Sequence, residues 1–302
     1  YTCVNNTSGA ITTAQASCAS GTTALATITS TIDNTDDIDA YSLMFTHKLD
    51  KDNTVGMNYT YVSRTDDGVE LANDRNDALK LQNLGISAKG KVTGLGYKVT
   101  ADKQFGSTGK GTVASATTGK SKYSGYALTA GVDYKVDPAT IRANFVYGSG
   151  NKRISADNAL DTKNELFQTF VGNVIDPNLP TVVYGWRVNT AVSGASLGTG
   201  IANTTAWNLG LTLAPIKDLT VALDYYLLRA TKAITATSTA VGYNKKVGSE
   251  VDLKIVYKLA RNLTYSINSG ILFAGDFYKS GTAVATQPED AMVLQHQLVL
   301  SF

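Results

Sequence analysis

Apolar and polar residues alternate along much of the chain, and the alternation is clearest in its final stretch, residues 291–302. The apolar positions there are Met292, Leu294, Leu298, Leu300 and Phe302, interrupted only by His296. A strand with this period presents one apolar face and one polar face. Such a strand suits a membrane wall between lipid and water, although a soluble edge strand could show the same alternation.

The same period recurs upstream and predicts about eleven strands of roughly nine to thirteen residues, a length that spans a hydrocarbon core when tilted. Short turns, such as those at 50–53, 89–91 and 136–139, alternate with long connections. A bacterial barrel has this regularity, because its turns are short on the periplasmic side and its loops are long outside. The sequence therefore predicts an all-β fold, an antiparallel up-and-down transmembrane β-barrel, over residues 38–302.

Composition agrees with one large all-β domain. The 302 residues are 43% hydrophobic and 17% charged, with 27 Gly and only 5 Pro. No run approaches the roughly 18 consecutive apolar residues that a membrane-spanning helix needs. The 27 basic and 25 acidic residues give a net charge of +2, so no nucleic-acid partner is expected.

Residues 1–37 are predicted to form an extracellular loop that contains both cysteines, Cys3 and Cys18. A disulfide between them would close a loop of about 15 residues, which the chain-entropy model values at roughly 3 kcal/mol. Such a bond fits an oxidising compartment. Two unpaired surface thiols are the alternative.

The sequence gives little support for a catalytic site or a metal site. His47 and His296 are the two histidines, and no Cys/His grouping has metal-ligand spacing. We therefore expect no enzyme activity, no metal and no cofactor.

The polar faces of the predicted strands supply candidate pore-lining residues. They are Lys98, Asp102, Asp133, Lys135, Arg142, Asn144, Asp224, Asp252 and Lys254. Mixed signs on such faces predict a water-filled pore with weak ion preference. Alternatively, opposite charges pair across neighbouring strands and brace the wall.

Three short motifs in the last third of the chain resemble the alginate-export family of outer-membrane channels. They are GSEVDL at 248–253, YKLARNL at 257–263 and FAGD at 273–276. The resemblance implies a closed barrel of about 16–18 strands through which a solute passes. The C-terminal strand also resembles the insertion signal of outer-membrane barrels, which implies that Leu298, Leu300 and Phe302 are read by the barrel assembly machinery.

These observations lead to a porin-like channel of the bacterial outer membrane for passive diffusion of small hydrophilic solutes or ions. Its expected partners are outer-membrane lipid and those solutes, with a homo-oligomer or a partner protein also possible. The alternative is a structural barrel that acts as a sheath or anchor for a partner in electron transfer, secretion or adhesion.

Two further expectations follow from the order of the segments. Residues 148–203, the longest connection, contain many apolar residues, so we expect them to fold inward or cap the mouth, with a short helix near 164–170. The alternating turns would leave residues 1–37 outside the cell and give an odd strand count. We therefore expect strands that precede Tyr1 in the complete barrel.

Overall fold

The computed structural model of the chain describes residues 3–7, 10–14, 38–64, 79–108, 112–113, 116–117, 122–151, 163–169, 178–186, 200–233, 244–279 and 289–302. The strands are β1 (Cys3–Thr7), β2 (Ala10–Ala14), β3 (Ile38–Lys48), β4 (Thr54–Arg64), β5 (Leu79–Val92), β6 (Leu95–Thr108), β7 (Thr112–Val113), β8 (Ala116–Thr117), β9 (Lys122–Tyr123), β10 (Tyr126–Val136), β11 (Ala139–Gly148), β12 (Lys163–Asn164), β13 (Thr204–Ile216), β14 (Leu219–Ala230), β15 (Lys246–Ala260), β16 (Leu263–Ala274) and β17 (Ala291–Leu300). Two short 3-10 helices occupy Tyr184–Trp186 and Asp276–Lys279.

Eleven long strands form one sheet in the order β3-β4-β5-β6-β10-β11-β13-β14-β15-β16-β17, and each pairs antiparallel with the next. The short strands β9 and β12 extend the sheet beside β6. This order confirms the predicted antiparallel up-and-down fold. Within the described residues the sheet is open, because the path ends at β3 and β17.

Tight turns close one end of the sheet, which we call the turn end. After β3, the Asp50 carboxylate accepts hydrogen bonds from the backbone N–H groups of Asp52 and Asn53, each 2.8 Å long. Between β5 and β6, Thr93 and Gly94 both have positive φ. The strand ends that lead into the longer connections are at the opposite end of the sheet, the loop end.

The two faces of the sheet differ in chemistry. The face that we call the inner face carries buried polar side chains, including Asn83, Gln104, Asn208 and Glu250. The outer face is apolar and exposed, as the alternation predicts for a surface in contact with lipid. Its residues include Leu43, Phe45, Ile86, Val132, Leu209, Leu223, Met292, Leu294 and Leu298.

Parts of the long connection 148–203 pack onto the inner face near the loop end. Residues 163–169, 178–186 and 200–203 contribute side chains to a buried apolar cluster. The cluster contains Ala127, Val146, Phe167, Leu179, Val183, Tyr184, Ile201, Ala206, Tyr226, Leu228, Ala230, Val247, Leu272 and Phe277. This buried apolar cluster covers a part of the inner face that the strands alone would leave exposed.

The helix expected near 164–170 is not formed. Lys163–Asn164 is a strand that pairs in parallel with β9, and residues 165–169 are not helical. The Asn164 side chain accepts a hydrogen bond from the N–H of Leu166 over 3.0 Å, which favours a turn over a helix. Of the apolar residues in this stretch, Phe167 packs in the buried cluster.

In the N-terminal segment, which was expected to be an extracellular loop, β1 and β2 pair antiparallel. Cys3 begins β1, whereas Cys18 lies outside the described residues, so the Cys3–Cys18 disulfide stays a prediction. In the portion of the chain covered by the structure, none of the helices has the length and hydropathy to cross a membrane.

Candidate functional site

Two carboxylates on the inner face of β15 hold the segment 178–186 against the sheet. Glu250 accepts hydrogen bonds from the backbone N–H groups of Val183, over 2.6 Å, and Tyr184, over 2.8 Å. Asp252 accepts one from the N–H of Val182 over 2.9 Å. Three successive backbone donors therefore meet two neighbouring carboxylates, at the start of the 3-10 helix where N–H groups lack helical partners.

The local sequence explains how β15 presents these carboxylates. Glu250 and Asp252 are two residues apart in a strand, so both point to one face. Gly248, two residues earlier, has a φ of 145° at a register shift between β14 and β15. Only glycine adopts that conformation without strain. The GSEVDL motif thus combines a bulge with the carboxylates that fasten the segment.

A second attachment involves residues 163–169. The Gln104 side chain accepts a hydrogen bond from the N–H of Gln168 and donates one to its carbonyl, both over 2.7 Å. Glu165 contacts Lys232 over 2.6 Å and Lys163 over 3.0 Å. These two lysines lower the pKa of Glu165 to about 2. The carboxylate is therefore ionised across the physiological range.

A cavity of about 280 Å³ lies between segment 178–186 and the inner wall. Asn178 and Pro180 close it from the segment side, and strands β6, β10, β11, β13 and β14 form the wall. The polar wall residues are Lys98, Thr129, Arg142, Asn144, Asn208, Asp224 and Tyr226. Charged groups and amide groups therefore line this space, and both can contact a small polar solute.

One hydrogen-bonded network fixes the charged wall of the cavity. The Arg142 guanidinium donates to both carboxylate oxygens of Asp224, over 3.2 and 2.5 Å, and to the Thr212 hydroxyl over 2.6 Å. Asn208 donates to Asp224 over 3.0 Å and accepts from Asn144 over 2.7 Å. This fork-like arginine–carboxylate pair holds both side chains flat along the wall.

Glycine makes that arrangement possible. Gly210 lies between Arg142 and Asp224 in the register of β11, β13 and β14. A Cβ at Gly210 would stand 2.5 Å from the Arg142 Nε atom and even closer to Asp224. The missing side chain leaves room for the ion pair to lie across the strand and not project into the lumen.

The charges of the inner face are sorted along the strands. Cations gather close to the short turns, where the acidic side chains of the inner face among the described strand residues are Asp133 and Asp224, the latter paired with Arg142. These cations are Lys48, Lys89, Lys91, Lys98, Lys135, Arg142 and Lys258. The carboxylates Asp102, Glu250 and Asp252 lie further toward the loop end. The turn end of the inner face is therefore basic.

The nine residues expected to line a pore all occupy the inner face. The structure brings Lys98, Arg142, Asn144 and Asp224 together around the cavity. It separates the others. Asp102 accepts a hydrogen bond from Asn83, and Asp133 lies against Gly96. Lys135 pairs with Asp137 in the turn over 3.0 Å. Asp252 accepts a hydrogen bond from the N–H of Val182, and Lys254 is exposed beside Asn268.

Sequence reasoning missed Glu250, Asn178 and Pro180. The strand alternation carried a signal for Glu250, since it shares a face with Asp252. No local pattern could reveal its partners, because Val183 and Tyr184 lie 67 and 66 residues away in the chain. Asn178 and Pro180 belong to an irregular segment whose position depends on those contacts.

The residues expected to form an insertion signal lie at the exposed edge strand. Leu298 and Leu300 point to the outer face, and Phe302 is fully exposed beyond the end of β17. Their role in assembly stays a prediction. As for metals, the described residues contain no group of three or more His, Cys, Asp or Glu side chains suited to holding an ion.

A family model described as alginate export matches residues 25–289. The chain belongs to the alginate export family. Family membership and the inner-face geometry identify an outer-membrane β-barrel with a channel function. A search of curated proteins finds no significant match.

Several solved outer-membrane proteins have similar structures. The NanC porin has 10% identity and a TM-score of 0.36, with 89% of this chain and 95% of that chain covered. OccK11 of Pseudomonas aeruginosa has 11% identity and a TM-score of 0.44, with 88% and 58% covered. Outer membrane phospholipase A from Escherichia coli has 11% identity and a TM-score of 0.33, with 87% and 83% covered.

Proposed function

We propose that the protein is a passive channel for small hydrophilic solutes and that it prefers anions. The observation that carries this proposal is the sorting of inner-face charge, with cations gathered at the turn end. Short turns of such barrels face the periplasm, so the basic end is the periplasmic entrance. A low-dielectric wall lined by one sign of charge raises the local concentration of counter-ions.

Local ion pairing leaves much of this positive charge uncompensated. Arg142 is paired with Asp224, and Lys135 with Asp137. Lys89 and Lys98 stand directly opposite one another in β5 and β6, where like charges repel. An anion that passes these lysines relieves the repulsion. The preference should therefore exceed the weak one that mixed signs alone would give.

The position of segment 178–186 favours a narrow, selective passage rather than a wide pore. It narrows the space over the inner wall and leaves the cavity of about 280 Å³. Lys98 and the amides of Asn144, Asn178 and Asn208 line that space. A carboxylate-bearing sugar fits such a lining, and the family description names alginate, a polymer of such sugars.

The alternative function, a sheath or anchor for a partner protein, makes a different electrical prediction. We expect purified protein in planar bilayers to give stable ohmic conductance steps. In a KCl gradient, the reversal potential should have the sign of chloride preference. Absence of conductance steps would favour the sheath or anchor, and a potassium preference would contradict the anion proposal.

Charge-reversal variants test the residues responsible. Lys89→Glu combined with Lys98→Glu should move the reversal potential toward cation preference. Lys51→Glu is the matched control, because Lys51 is an exposed turn lysine outside the inner face. Equal shifts in both variants would mean that surface charge, and not the lining, sets the selectivity.

A further inference from the structure

A group of lysines lies on the outer face of the sheet at its loop end. Lys80 in β5 pairs with Ser107 in β6, which pairs with Lys122 in β9, and Lys122 pairs with Lys163 in β12. The alternating burial of β9, with Lys122 exposed and Tyr123 buried, directs Lys122 outward. Three exposed lysines therefore share one row across four neighbouring strands.

Lys103 adds a fourth cation just below this row. It lies four residues before Ser107 in β6, on the same face of the sheet. Its ammonium group donates a hydrogen bond to the Ser124 carbonyl over 2.6 Å and lies 5.5 Å from the centre of the Tyr126 ring. We call Lys80, Lys103, Lys122 and Lys163 the rim lysines.

Acidic groups compensate this charge only in part. Among the described residues, Glu165 and Asp39 are the carboxylates on this part of the outer rim. Glu165 divides its two oxygens between Lys163 and Lys232. Asp39 is separated from Lys80 by the whole of β4, through Ser63. Lys122 and Lys163, directly opposite one another, carry like charges whose repulsion favours a bound anion.

Aromatic residues give the level of the rim lysines in the membrane. The exposed ring of Tyr126 and the half-buried ring of Tyr147 stack on the outer face with centroids 5.5 Å apart. Tyrosines of this kind concentrate where the hydrocarbon core meets the headgroups. Lys103 pairs with Tyr126, and the row containing Lys80 lies further toward the loop end. The rim lysines therefore lie at the headgroup level of the outer leaflet.

We propose that the rim lysines bind a phosphate group of an outer-leaflet lipid. Lysine-rich clusters beside a membrane attract anionic lipid, and each cation near the surface adds to the binding. The long methylene stems cover apolar surface while the ammonium groups reach the phosphate. This surface is separate from the lumen and does not depend on solute passage.

The test uses the full protein in detergent micelles with lipid A, a phosphate-bearing glycolipid, as the probe. Lipid A should raise the midpoint of heat-induced unfolding of the unmodified protein. The variant with Lys80→Gln, Lys122→Gln and Lys163→Gln should lose at least half of that shift. The matched control carries Lys51→Gln, Lys217→Gln and Arg261→Gln at the turn end, and it should keep the full shift.

One further variant and one further ligand separate lipid binding from other effects. Replacing the same three rim lysines by arginine keeps the charge and should keep the shift, which shows that the positions tolerate substitution. Inorganic phosphate alone should give no shift. A full shift in the glutamine variant, an equal loss in the turn-end control, or an equal shift with inorganic phosphate would each overturn the proposal.

Discussion

The buried carboxylate of Glu250 makes two of the three hydrogen bonds that hold the segment 178–186 against β15. Glu250 is completely buried, and a buried charge is costly unless hydrogen bonds compensate it. The N–H groups of Val183 and Tyr184 supply that compensation and are themselves satisfied by it. The contact therefore holds the segment and the strand together.

Glu250→Gln should loosen the segment. The glutamine amide keeps one acceptor oxygen but turns an NH2 group toward a backbone N–H, and hydrogen bonds to charged groups are worth roughly 1.5–3 kcal/mol each. We expect a higher single-channel conductance with more open-channel noise. Glu289→Gln, at an exposed position beside β17, is the control. Conductance and noise equal to those of the unmodified protein would show that the segment does not narrow the passage.

At the residue scale, the sequence predicted which side chains share the inner face, because strand period alone settles that. It did not predict that Arg142 and Asp224 form one network with Thr212, since their contacts cross β13 at Gly210. That bond needs the register of three strands. Register depends on turns and bulges that the alternation does not encode.

Among the elements, the long strands were the most predictable and the connections the least. The eleven alternating segments correspond to eleven paired strands in chain order. The described parts of residues 148–203 differ, because their buried apolar side chains pack against distant strands. These side chains are Phe167, Leu179, Val183, Tyr184 and Ile201. Phe167 illustrates this, since its burial depends on the Gln104–Gln168 contact and not on a helix.

The attachment of residues 163–169 should depend on acidity. Hydrogen bonds from Lys232 and Lys163 lower the pKa of Glu165 from 4.5 to about 2. A carboxylate with a lowered folded-state pKa stabilises the fold above its unfolded pKa, and that contribution is lost as pH falls. The unfolding midpoint of the unmodified protein should therefore exceed that of Glu165→Gln near neutral pH. The difference should shrink between pH 4.5 and 2.

Lys232→Gln provides the companion measurement. It removes the nearer of the two cations, so the pKa of Glu165 should rise, and the loss of stability should be smaller and complete at a higher pH. Because Glu165 is partly exposed, the effect should also weaken in high salt. A midpoint difference that stays constant down to pH 2 would mean that the ion pair contributes nothing to holding the segment.

For the whole molecule, the sequence indicated a membrane barrel, and its polar faces indicated a water-filled interior. The sequence did not predict how positive and negative side chains are distributed along the axis of that interior. Counting charges gave mixed signs, whereas the structure separates cations near the turns, such as Lys89 and Lys98, from carboxylates near the loops, such as Asp102 and Asp252. The separation depends on how far each residue lies from its turn, so it emerges only when all strands are aligned.

Such an axial gradient of fixed charge should rectify current. Anions driven from the basic turn end toward the loop end enter a region of weaker positive charge and accumulate there, which raises conductance. The opposite voltage depletes that region. Single channels inserted in one orientation should therefore conduct more when the loop side is positive.

Salt provides the control for this electrostatic origin. The screening length is about 10 Å at 0.1 M salt and about 3 Å at 1 M, so the asymmetry should be clear at the lower concentration and nearly absent at the higher. Lys89→Glu combined with Lys98→Glu should reduce it, whereas Lys51→Glu should not. A current asymmetry that persists unchanged at 1 M salt would show that the charge gradient is not its cause.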